Sequence, residues 1–299
     1  MTNQTQSFLM RRFEQVGILP KTKHGQNFLI DLNLLRLLFD SAQIDDRDVV
    51  LEVGTGTGSL TAMLAEAAAA VVSVEVDPQM HQLASEELVD FDNVTLLCQD
   101  ALKNKNTLHP ALLDAVRRQI EAMPGRRFKL VANLPFNIAT PVLSNLLACE
   151  LPPATMTVTI QKELADRMVA RPSTKDYGAL SVWVQCQCEV ELVRVMPPTA
   201  FWPRPKVHSA IVQLRVRDDW RRRIPDLAMF HTFVRAMFFH RRKMLRSVLH
   251  SAYKHQLGKP DADTIMASVG FGETTRAEEL DVEALLRLCE AVRARVGEG

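Results

Sequence analysis

Five short apolar runs alternate with helix-like stretches in this 299-residue chain, and no other feature constrains its fold as tightly. The runs are Asp48–Val53, 71–76, Val94–Cys98, 128–132 and 156–160. Asp48–Val53 and 128–132 read as strands buried in a parallel sheet, and the other three runs as further strands. The stretches between them can hold crossover helices, so a parallel sheet with right-handed connections is expected. Two further runs, 190–195 and Ser209–Val216, read as a terminal antiparallel hairpin, separated by the proline-rich residues 197–205. Hydrophobic residues make up 47% of the chain, enough for a substantial core around such a sheet.

Open α/β sheets bind ligands at the C-terminal ends of their strands, so the residues after each run carry the functional information. The first run is followed by Gly54-Thr55-Gly56-Thr57-Gly58. This is neither Gly-x-Gly-x-x-Gly, because position 59 is Ser, nor a Gly-Lys-Ser/Thr phosphate loop. Glycines without a phosphate motif suit a ligand whose nucleoside and amino-acid parts lie against bare backbone. Glu75 ends the second run and can accept both hydroxyls of a ribose. Asp100 follows the third and can accept an adenine amine. A solvated strand end is the ordinary account of either acid alone. Glycine loop and acids, in order on successive strands, point instead to a nucleoside cofactor.

The fourth run ends in Asn133-Leu134-Pro135-Phe136. An Asn oxygen and the carbonyl of Leu134 or Pro135 can accept the N–H bonds of a planar amine-bearing ring, and Phe136 can stack on its face. Pro135 stiffens the turn through its fixed φ. An N-capping Asn with Phe136 in the core is the bland alternative.

The rest of the chain adds organisation. Residues 1–20, with Phe8, Leu9, Phe13 and Val16 at roughly helical spacing, read as an arm or short helix. Asp31 can cap a helix from Leu32. Residues 102–125 hold an amphipathic helix from Leu108 to Ile120. Residues 218–223 read as a linker between a domain spanning 1–219 and a small helical domain, 220–299. Phe230, Phe233, Val234, Met237 and Phe238 form an apolar stripe on the first long helix of the latter. The net charge is only +1, so any nucleic-acid footprint must be a local patch. Such a patch stands between Arg235 and Lys259, with seven Lys/Arg and no Asp or Glu. Arg241, Arg242, Lys243 and Arg246 are its candidate phosphate contacts, with Arg11, Arg12, Lys21 and Lys23 as a second choice. Five cysteines with no C-x-x-C pair read as reduced and structural. No metal-ligand cluster, signal peptide or membrane-length apolar run is found, so a cytoplasmic protein is expected.

Taken together these stretches resemble the ribosomal RNA adenine dimethyltransferases. The resemblance rests on His24-Gly25-Gln26-Asn27-Phe28-Leu29, Glu52 to Gly58, Glu75, Gln99-Asp100-Ala101, Asn133 to Pro141, Gln161-Lys162-Glu163, Tyr177-Gly178, Pro203 to Val207 and Arg241-Arg242-Lys243. It implies a Rossmann-like class I methyltransferase sheet, mostly parallel with a terminal antiparallel hairpin, and a small α-helical C-terminal domain. It also implies S-adenosyl-L-methionine as cofactor, contacted by Asn27, Leu29, Gly54, Gly56, Glu75, Asp100 and Asn133. Asn133, Leu134, Pro135 and Phe136 would position the target base. The implied activity is dimethylation of N6 on two adjacent adenosines near the 3′ end of small-subunit ribosomal RNA, by a monomer acting in small-subunit biogenesis. The family usually has Tyr at position 136 and Pro at 55, so only the stacking role carries over to Phe136. The connection 102–125 is longer than the family's. A large-subunit rRNA methyltransferase of the antibiotic-resistance type shares the fold; Leu134 and the continuation Asn137 to Pro141 favour the small-subunit type. A mainly non-enzymatic assembly factor and a small-molecule methyltransferase are the other readings, and the basic segment counts against the last.

Overall fold

A computed structural model describes residues 6–15, 17 and 26–297. Lys21, Lys23, His24 and Gly25 lie outside the described residues, as do the side chains of Phe8, Arg12 and Val16. The chain divides into two compact units. One comprises the chain to Ala165 together with Val190–Val216; the other comprises Asp166–Glu189 and the chain from Arg217 onward. The sequence reading places a single cut near 219, whereas here 166–189 groups with the helices.

The first unit is built on a seven-stranded sheet. Its strands are β1 (Asp48–Val53), β2 (Ala70–Glu75), β3 (Val94–Cys98), β4 (Arg127–Asn133), β5 (Thr155–Gln161), β6 (Cys188–Met196) and β7 (Ser209–Val216). Their order across the sheet is β3-β2-β1-β4-β5-β7-β6. β1 pairs parallel with β2 and with β4, β2 with β3, and β4 with β5. β7 runs antiparallel to β5, with Ser209 opposite Gln161 and Arg215 opposite Thr155. The parallel expectation holds: β1 and β2 are buried at every position, their polar residues Asp48, Glu52, Ser73 and Glu75 included.

Strand order reverses between β1 and β4, whose pairing stops at Leu51 and Leu130, short of their C-terminal ends. At the opposite end, Asp48 is fully buried and receives Arg127 Nε at 2.9 Å and Lys129 Nζ at 2.8 Å. Removing either cation would leave a buried charge underpaired. A short ribbon pairs Phe28–Leu29 with Phe201–Trp202. Around it Phe13, Phe28 and Trp202 form an aromatic cluster with centroids 5.3–6.4 Å apart. The helix Gln6–Gln15 buries Leu9 and Phe13 there, in the same cluster as Met80 and Leu83. Asp31 caps the helix Leu32–Ala42 by accepting from the Asn33 and Leu34 N–H groups. Residues 102–108 differ from expectation: Leu102–Asn104 and Thr107–Leu108 pair as a small hairpin before the helix Pro110–Glu121.

The second unit is helical, apart from the first residues of β6. Phe230, Phe233, Val234 and Met237 form a buried stripe on the helix Leu227–Phe239, and His231 stacks on Trp183 at 4.2 Å. Tyr177 is fully buried and donates its hydroxyl to the Leu280 carbonyl at 2.8 Å. The stretch 218–223 is no open linker. Asp218–Arg221 is a helical turn, Arg217 pairs with Asp219 and Glu189 and lies over the Trp220 ring, and Arg221 donates to Gln187. Those side chains clasp the segment to 187–189. No helix among the described residues is long and apolar enough to cross a membrane.

Candidate active site

A cleft enclosing about 780 Å³, open mouth included, lies at the crevice between β1 and β4. Gly54, Gly56, Glu75, Asp100, Asn133, Leu134, Pro135 and Asn27 are among the residues that line it. The topology therefore brings together all but two of the residues picked out for cofactor and target base. Leu29 is buried behind the glycine loop, and Phe136 stands outside the cleft lining, edge-on to Phe201 at 6.4 Å.

The glycine loop is a surface that side chains could not offer. Gly54 and Gly56 sit at φ +89° and +56°, in the left-handed region that favours glycine. A Cβ on Gly54 would stand 3.2 Å from Cγ and Cδ of Pro135, and one on Gly56 would stand 3.2 Å from the Phe28 ring. Both positions thus present bare backbone to the cleft.

Glu75 is held rigidly. Its Oε2 accepts from the Gly56 N–H and its Oε1 from the Asp77 N–H, both at 3.0 Å. Burial raises its pKa above the ordinary glutamate value; the hydrogen bonds oppose that rise. A carboxylate has about four acceptor sites, so acceptor capacity remains for two ribose hydroxyls. Behind the loop, the wholly buried Glu52 accepts from Thr61 Oγ1 at 2.5 Å and Ser73 Oγ at 2.7 Å. Ser73 Oγ lies 2.6 Å from Thr55 Oγ1, which ties the loop into this network. Burial pushes the Glu52 pKa up to about 8.

Asn133 ends β4, and its Nδ2 donates to the Asn27 carbonyl at 2.8 Å. With the nitrogen so engaged, Oδ1 is left as the acceptor. The Leu134 N–H is bound by the Thr159 carbonyl and the Pro135 carbonyl accepts from Ile138 N–H. The Leu134 carbonyl accepts no hydrogen bond among the described residues. Of the two carbonyls considered from sequence, it is therefore the one with its capacity intact.

One contributor escaped the sequence reading as a site residue. Gln99 lines the cleft beside Asp100, and its Nε2 is buried with no hydrogen-bond partner. A buried donor of this kind, in the lining of a cleft, is available to an acceptor on a ligand. Its place beside Asp100 was the only signal available. Bare glycine backbone, an anchored carboxylate and this unpaired donor together fit the nucleoside of S-adenosylmethionine. Among the described residues no His, Cys, Asp and Glu cluster could hold a metal.

The basic segment is divided by its partners. Arg241 Nη1 donates to the Lys175 and Tyr177 carbonyls, both at 2.7 Å, and its Nε lies 3.5 Å from Glu278. Arg246 forms a two-pronged pair with Asp263. Arg242 and Lys243 are exposed and have no ion-pair partner among the described residues.

A β3-β2-β1-β4-β5-β7-β6 sheet with this cleft at its reversal point defines a class I, S-adenosylmethionine-dependent methyltransferase. The sequence profile described as ribosomal RNA adenine dimethylase matches residues 19–293. The chain belongs to that family. It is 37% identical to ribosomal RNA small subunit methyltransferase A of Streptococcus gordonii over 283 residues, 94% of each chain. It is also 37% identical to the protein of that name from Geobacillus thermodenitrificans, over 92% of each. Among solved structures, a dimethyladenosine transferase from Plasmodium falciparum shares the fold at a TM-score of 0.73, with 22% identity over 88% of this chain and 96% of that one. The 23S rRNA methyltransferase ErmE aligns at 0.59 and 25% identity, over 89% and 100%.

Proposed function

We propose that this chain dimethylates N6 of two adjacent adenosines near the 3′ end of small-subunit ribosomal RNA, as a cytoplasmic monomer acting in small-subunit biogenesis. The observation that carries the reading is the Asn27–Asn133 hydrogen bond, which fixes an amide oxygen as acceptor in the same cleft as Gly54, Gly56 and Glu75. Identity of 37% to small-subunit enzymes, against 25% to the large-subunit enzyme, supports the small-subunit substrate.

S-adenosylmethionine, when bound, supplies an electrophilic methyl group on a sulfonium. The adenine amine is a weak nucleophile because its lone pair is delocalised into the ring. Asn133 Oδ1 and the Leu134 carbonyl accept its two N–H bonds, localise that lone pair and aim it. The contribution is positioning and electrostatics. The methylated ammonium is acidic and gives its proton to water without a dedicated base. Pro135 abuts the glycine loop, so the acceptor turn is set against the cofactor wall. The target adenine must be unpaired or flipped to reach this cleft, and Phe136 offers it a stacking face at the rim. Glu75 holds the ribose hydroxyls, while Asp100 and Gln99 read the adenine of the cofactor. Arg242 and Lys243 bind phosphates in the helical unit; Arg241 and Arg246 order the segment that presents them.

The test is incubation of the protein with labelled S-adenosylmethionine and small subunits lacking the modification, followed by mapping of the label. Two adjacent N6,N6-dimethyladenosines near the 3′ end are expected. Label confined to large-subunit RNA, or none from a protein that binds the cofactor, overturns the proposal.

A further inference from the structure

Phe239 is the last residue of the helix Leu227–Phe239 and is 80% exposed. The helix buries its apolar stripe without it, and the neighbouring Phe238 packs edge-on against Tyr177 at 5.7 Å. Phe239 therefore contributes little to the core and leaves a whole ring in water, which forgoes the burial an aromatic side chain normally finds. Its surroundings are cationic rather than apolar. His240 stands edge-on to it at 4.7 Å, and Arg242 and Lys243 follow, exposed. Phe239, His240, Arg242 and Lys243 help line an open recess of about 760 Å³. Arg241 pins the turn through the Lys175 and Tyr177 carbonyls, so the two cations beyond it stand on an anchored backbone.

We propose that Phe239 is a stacking platform for one unpaired nucleobase of the ribosomal RNA, with Arg242 and Lys243 holding the phosphates beside it. The inference rests on the RNA substrate proposed above. Charge decides the occupant. Residues 235–259 hold seven Lys/Arg and no acid, which complements a polyanion. Every base offers a π-face, and an aromatic ring set among cations is the recurrent platform for unpaired nucleotides.

The experiment measures equilibrium binding of the full-length protein to small subunits lacking the modification, over a series of salt concentrations. Phe239→Ala is expected to weaken binding about 5- to 150-fold, the range of base–aromatic stacking. It should leave the salt slope and S-adenosylmethionine affinity unchanged. Phe239→Trp should bind at least as tightly as the wild type, and Phe239→Leu should bind as poorly as Phe239→Ala. Replacing Arg242 and Lys243 by Gln should instead lower the log–log salt slope by roughly 0.7–0.9 for each phosphate no longer neutralised. Wild-type affinity in Phe239→Ala overturns the proposal. So does wild-type affinity in Phe239→Leu, which would mark an apolar contact with a ribosomal protein. A wild-type protein that neither binds nor methylates small subunits refutes the parent reading, an outcome separable from failure of the Phe239 variants alone.

Discussion

Replacing Glu75 by Ala tests the cofactor wall where the structure makes the consequences countable. The carboxylate is 6% exposed and already anchored by two backbone N–H groups at 3.0 Å. The substitution removes the acceptors for the ribose hydroxyls, charge-assisted bonds of roughly 1.5–3 kcal/mol in total. At about 1.4 kcal/mol per tenfold, S-adenosylmethionine should bind roughly 10- to 150-fold more weakly. The same change strands the Gly56 and Asp77 N–H groups, at about 1 kcal/mol of stability each. Affinity is read by calorimetric titration and stability by urea unfolding of the same preparation. There is also a signature in pH. Burial raises the Glu75 pKa, and the form that accepts ribose hydroxyls is the carboxylate. Wild-type affinity should therefore fall as pH drops through that raised pKa, above the ordinary glutamate range, and the Ala variant should lack this limb. A folded Glu75→Ala protein with wild-type affinity would refute the assignment.

Glu52 titrates near 8 in the folded chain against 4.5 ordinarily, so between those values the folded state holds a proton the unfolded state has released. Stability should fall as pH rises through that window, by up to about 1.4 kcal/mol per pH unit, and the benefit of the proton is gone above it. Glu52→Gln should flatten this dependence in urea titrations at pH 5, 7 and 9; an unchanged slope would exclude Glu52 as its source. Gly54→Ala combines φ +89° with a 3.2 Å approach to Pro135, and should destabilise by about 1–3 kcal/mol. Because Pro135 is what must move, single-turnover methylation should slow more than cofactor binding weakens, and equal losses in both would argue against a shared wall. Phe136→Tyr should keep activity and Phe136→Ala should lose most of it in single-turnover assays. An active Ala variant would leave Phe136 only its edge contact with Phe201.

The sheet was legible because parallel strands announce themselves: β1 and β2 are buried throughout, and their sequences are mostly apolar. The cleft followed from knowing which strand ends a doubly wound sheet brings together. The hairpin at 102–108 was not legible. It is closed by a bond from the Asn106 N–H to Asn104 Oδ1 and by His109 N–H to the Ala101 carbonyl, local bonds that leave no periodic trace. Gln99 escaped because its importance lies in a missing partner, which only coordinates reveal. The basic run illustrates the same limit. Arg241, Arg242, Lys243 and Arg246 are equivalent as letters, yet Glu278 and Asp263, distant in sequence, divide anchors from exposed cations. Residues 166–189 likewise gave no hint that they group with the helices, since Tyr177 finds Leu280 more than a hundred positions along.

The bond from Asn133 to the Asn27 carbonyl makes the proposed acceptor turn depend on a piece of chain that precedes the whole sheet. Residues 26–29 add no strand to that sheet; they are fastened beside it by the two-residue ribbon with Phe201–Trp202 and by the cluster of Phe13, Phe28 and Trp202. Without residues 26–29 the Asn133 amide would lose the carbonyl that fixes it, and the core would lose Leu29. The N-terminal segment thus serves as a latch on the acceptor turn.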